Sequence, residues 1–103
     1  MSTADVAWRA VKARYAAARN VTVMTKFGTE SLRVSGTVFA MHYKGTLVVK
    51  LPPVRVAELL NDRTGTPFVL GSRTMKAWVS IPVAHGRGWP AIAEESRAFV
   101  SRR

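Results

Sequence analysis

The sequence predicts a two-layer α+β fold, an antiparallel sheet covered by helices on one face. The predicted order is helix-strand-strand-strand-helix-strand-strand-helix. Three observations carry this reading. Apolar residues recur at helical spacing in three segments. Short β-branched and aromatic runs with two-residue alternation fill most of the remainder. Glycine-containing turns separate successive runs, as they do in an antiparallel meander.

Ser2 or Thr3 can cap the first helix, with Asp5 near the positive end of its dipole. The alanine-rich stretch 4–19 lacks glycine and proline, and Trp8, Val11, Tyr15 and Ala18 form one apolar stripe. Arg9, Lys12 and Arg19 lie on a more polar side. Val21 to Phe27 is β-rich but short, either extended linker or an edge strand, and Gly28 breaks it. Leu32 and Val34 then alternate with Ser31, Arg33 and Ser35, and Gly36 turns the chain. A second strand runs from Thr37 to Tyr43, Lys44-Gly45 turns again, and a third covers Thr46 to Leu51. Pro52-Pro53 stops that strand and opens a short helix with Val56, Leu59 and Leu60 on its apolar side. Thr64-Gly65-Thr66 is a turn, Pro67 to Leu70 a short strand, and Gly71-Ser72 a further turn. Met75, Ala77, Val79 and Ile81 then alternate with Lys76, Trp78 and Ser80 until Pro82. His85-Gly86-Arg87-Gly88 reads as a loop. Pro90 can start the last helix, whose stripe is Trp89, Ile92, Ser96, Phe99 and Val100.

At 103 residues, 48% of them hydrophobic, the chain suits one domain spanning 1–103 with one real core. Sixteen Lys and Arg against six Asp and Glu give a formal net charge of +10, and eleven of the sixteen are arginine. Such a surface attracts polyanions, and it also keeps a protein in solution. The lack of cysteine excludes disulfides, thiolate chemistry and cysteine-based metal sites. The first residues show no basic region followed by an apolar run, and no stretch reaches 18 apolar residues. The expectation is a cytoplasmic protein with no membrane partner.

Lys26-Phe27-Gly28 followed by Leu32-Arg33-Val34-Ser35-Gly36-Thr37-Val38-Phe39-Ala40 resembles the start of the TfoX N-terminal domain. Leu47-Val48-Val49-Lys50, Gly65-Thr66-Pro67-Phe68 and Met75 to Pro82 are similar to that family's later strands. Trp89 and the helix from Ala93 to Ala98 fit its end. Ala77-Trp78-Val79 is also similar to the tryptophan-bearing strand of the related YjbR-like proteins. The resemblance spans roughly residues 4 to 101. It implies a two-layer α+β domain and supplies no catalytic residues. Some family members are tied to regulation of competence for DNA uptake, often with a second, C-terminal domain. That second domain is expected to be absent here. The chain departs from the pattern at Thr29, where a second glycine is usual, and at Leu51-Pro52, where an acidic residue often follows the strand lysine.

No constellation singles out an enzyme. His42 and His85 are the only histidines, which argues against a metal centre. Glu94 and Glu95 are adjacent on a helix and point apart. Gly86-Arg87-Gly88 matches no nucleotide-binding fingerprint. No cofactor is implied. Strand alternation predicts a sheet face free of helices that carries Arg33, His42, Lys50, Lys76 and Trp78. On it Trp78 would stack a base while Arg33, Lys50 and Lys76 meet phosphates, the way sheet platforms hold single strands of DNA or RNA. A nucleic-acid-binding or regulatory accessory module using this open basic face is one reading. The alternative is a protein-interaction or homodimer module using an apolar patch of Val38, Ala40 and Val48 on that face.

Overall fold

Three tight turns set the sheet. At Phe27-Gly28, Ser35-Gly36 and Lys44-Gly45 both residues have positive φ, between 49° and 86°. This is type I′ geometry, whose twist matches that of the flanking strands. In the computed structural model, which describes residues 2–102, these turns join β1 (Val21–Lys26), β2 (Thr29–Val34), β3 (Thr37–Tyr43) and β4 (Thr46–Lys50) into a meander. The β-rich run after the first helix is thus an edge strand paired along its length with β2. Helix α2 (Pro53–Asn61) intervenes, and β5 (Thr66–Leu70) and β6 (Arg73–Ile81) follow. Strand β6 inserts between β4 and β5, giving six antiparallel strands in the order β1-β2-β3-β4-β6-β5.

Helix α1 (Thr3–Arg14) begins where the Ser2 hydroxyl accepts the Asp5 N–H at 3.1 Å. It ends sooner than its alanine content suggests, with Tyr15 as C-cap, although Ala18 still packs on the core. The segment read as a loop around Gly86 is a 3₁₀ turn, Val83–Gly88, leading directly into α3 (Trp89–Ser101). All three helices pack on one face of the sheet. Trp8, Val11 and Tyr15 from α1, Val56 and Leu59 from α2, and Trp89, Ile92 and Val100 from α3 share a single buried cluster with Leu32, Val34, Leu47, Val49, Val79 and Ile81. Each such side chain taken from water stabilises the fold by about 1.5–3 kcal/mol. Packing is tight where the chain enters β5. A Cβ on Gly65 would stand 2.6 Å from Val79 Cγ2 and 3.4 Å from Leu59 Cβ.

A bulge in β3 overturns part of the alternation. Leu32 pairs with Ala40, but Arg33 pairs with Val38, so Phe39 is an extra residue. Phe39 and Ala40 therefore both enter the helix-side core, and every later residue of β3 changes face. His42, expected on the free face, lies on the helix side opposite Glu30 and Leu47. The expected patch of Val38, Ala40 and Val48 does not form. Ala40 belongs to the core, and Val48, on the other face, is fully buried. Phe68 is buried on that same face, and its ring meets Tyr43 edge-on at 5.6 Å. Strands β4 and β6 lie between those two rings, so the sheet curls over part of its helix-free face.

Candidate nucleic-acid interface

What stays open on the helix-free face is the end that carries the basic residues. Lys50, the last residue of β4, sits directly opposite Trp78 of β6. Pro52 then takes the chain away into α2, and β6 continues past the end of β4. The result is a depression of about 400 Å³ lined by Lys50, Arg73, Thr74, Met75, Lys76, Ala77 and Trp78. No acidic residue is among them. Three of the four sequence-predicted contacts, Lys50, Lys76 and Trp78, thus come together, with Trp78 only half-buried. Arg33 is on the same face but apart. It pairs with Val38 on β3, two strand spacings from Lys50, or about 10 Å. Its Nε is buried without a hydrogen-bond partner. The turn at Gly71-Ser72 is as expected, but β6 starts at Arg73 rather than at Met75, and this brings Arg73 into the depression. Alternation with Met75, Ala77 and Val79 assigns Arg73 to the core side of the strand, so its place in the depression was not legible in the pattern.

Lys50 is held from beneath. The β3–β4 ladder ends at Ala40 and Val49, where the bulge separates the strands. Ser96 of α3, fully buried, fills the gap. Its hydroxyl accepts the Lys50 N–H at 3.2 Å and lies 2.6 Å from the carbonyl oxygens of both Phe39 and Lys50. One hydroxyl proton serves both carbonyls. The backbone that presents Lys50 and Trp78 therefore depends on a polar side chain from the opposite layer.

The acids are engaged elsewhere. Among the described residues only Lys12, Arg55 and Arg97 form ion pairs, with Glu30, with Glu58 and Glu95, and with Glu94 respectively. A second polar cluster, on the helix side, was not foreseen. Glu30 Oε1 accepts from Lys12 Nζ at 2.8 Å and from Trp8 Nε1 at 2.9 Å. Both contacts hold its carboxyl below the ordinary carboxylate range, Lys12 first. The His42 ring stacks on Trp8 at 5.5 Å, and its Nε2 is buried without a partner. Together with Asp5 and Arg9 these residues line a pocket of about 290 Å³. Among the described residues no three His, Asp or Glu gather closely enough to hold a metal ion. No described helix is long and apolar enough to cross a membrane.

Fold and surface define a two-layer α+β sheet domain with a basic, tryptophan-bearing face. Among known protein families no family model matches the chain, and no curated protein matches it.

Proposed function

We propose that the chain binds single-stranded nucleic acid at the Lys50–Trp78 end of its sheet. The observation that carries this reading is the facing of Lys50 and Trp78 in a depression that also holds Arg73 and Lys76 and no carboxylate. A partly exposed indole can stack a base, and cations on either side can take the flanking phosphates. The net charge of +10 adds long-range attraction for a polyanion.

The test is a titration of a labelled oligothymidylate, followed by fluorescence anisotropy at two salt concentrations. Trp78→Ala is expected to weaken binding by about 1–3 kcal/mol, the worth of one stacked base. Lys50→Ala and Lys76→Ala are each expected to flatten the slope of log affinity against log salt by about 0.7. Unchanged affinity in Trp78→Ala with an intact circular dichroism spectrum would refute stacking. Unchanged salt slopes in both lysine variants would refute the site.

A further inference from the structure

On the helix side, α1, the 3₁₀ turn and the start of α3 enclose a groove of about 640 Å³. That volume falls within the range of roughly 300–1,000 Å³ typical of small-ligand sites. Its hollow comes from small residues. Ala7 and Ala10 on one wall face Ala84, Gly86 and Gly88 on the other. Gly86 favours this approach, since a Cβ there would stand 3.1 Å from the Ala7 Cβ, a tight contact. Val6, Val83 and Ile92 add larger apolar surface, and Val6 is 56% exposed although the helix it sits on is well packed. An apolar lining of this extent, left to water, is a cost that an apolar ligand removes.

The one formal charge at the groove is the guanidinium of Arg87. His85 and Arg87 line it together with Thr3 and Thr64, and no carboxylate does. Arg87 forms no ion pair among the described residues. Asp62 lies beyond the rim and is already engaged, accepting the Thr64 N–H at 2.8 Å. Helix α3 starts at Trp89, immediately after Gly88, and α1 starts at Thr3, so two helix N-termini adjoin the same groove, that of α1 already capped by Ser2 and carrying Asp5. Apolar walls, an unpaired guanidinium and two helix N-termini are together suited to an apolar body that ends in a negative charge.

We infer that this groove binds an amphipathic monoanion, an apolar chain bearing a carboxylate. The chain lies against Val6, Ala10, Val83 and Ile92, and the carboxylate meets Arg87. The site is independent of the basic sheet face, and either can fail without the other.

Decanoate, decanol and acetate, each titrated into the full chain and followed by amide chemical shifts, test it. Decanoate is expected to shift the amides of α1 and of the 3₁₀ turn. Decanol should bind about tenfold more weakly for want of the charge-assisted contact, and Arg87→Ala should weaken decanoate by about the same factor. Acetate should leave these amides in place. Ala10→Phe, at an exposed helix position that lines the groove, should abolish decanoate binding with the melting temperature retained, and Trp78→Ala should leave it unchanged. Decanoate shifts scattered over the surface, decanol binding as tightly as decanoate, or an affinity indifferent to both Arg87→Ala and Ala10→Phe would each overturn the inference.

Discussion

Phe27 occupies the first turn position between β1 and β2 with φ of 52°, and its ring is 95% exposed. A bulky residue in the left-handed region costs free energy that asparagine largely avoids, and Asn-Gly is the preferred pair for this turn. Phe27→Asn is therefore expected to stabilise the protein by about 0.5–1 kcal/mol. A scanning melt should show a rise of roughly 2–8 °C. An unchanged or lower melting temperature would mean that the ring stabilises the hairpin in a way its exposure does not suggest. At this scale the sequence was legible wherever a single residue type decides the geometry. The glycines marked the turns, and Trp78 and Lys50 fell on the face that alternation predicts. Where the decision lies in tertiary neighbours it was not legible. Nothing local to His42 announces that Trp8 stacks on it or that Glu30 faces it.

Strand β3 shows the limit at the scale of an element. Both of its parities are apolar, so alternation could not choose a face, and the slip at Phe39 is invisible without the residue that supports it. That residue is Ser96, which lies 57 positions further along the chain and read only as one member of an amphipathic helical stripe. Its replacement exposes the dependence. Ser96→Ala leaves the Lys50 N–H and the Phe39 carbonyl without their buried partner, a loss of about 1–3 kcal/mol. Chemical denaturation should show a lower midpoint with an unchanged slope. Ser96→Thr, which keeps the hydroxyl but adds a methyl to a fully buried position, separates the lost hydrogen bonds from the cost of overpacking. An alanine variant as stable as the parent would show that water takes over the role of the hydroxyl.

For the whole molecule the distribution of charge matters more than its sum. Four of the six acids are spent on Lys12, Arg55 and Arg97, between layers or along helices, and the basic depression is left without any. Glu30, held down by Lys12 and Trp8, and Glu94, held down by Arg97 and Tyr15, both titrate below the ordinary carboxylate range. A depressed carboxyl contributes stability that is complete above the unfolded value and is lost as the pH falls through the folded one. Melting temperature should therefore be flat near neutrality and fall as the pH drops through and below the ordinary carboxylate range. Glu30→Gln should reduce that fall, and an identical pH profile in the variant would show that the Lys12–Trp8 cluster does not contribute to it. The two-layer architecture was readable from periodicity and turns alone. The sheet's curl and the groove beside α1 were not, since both arise from contacts between segments distant in sequence.

The hydroxyl that closes the β3 bulge has a further consequence in time. During synthesis the β1–β4 hairpins are local and can close as they leave the ribosome. Lys50 waits for Ser96, which emerges 46 residues later. A nascent chain that has completed its meander still lacks the support that holds the end of β4. The basic face is finished only when the last helix docks, so a half-made chain does not yet present the surface that attracts a polyanion.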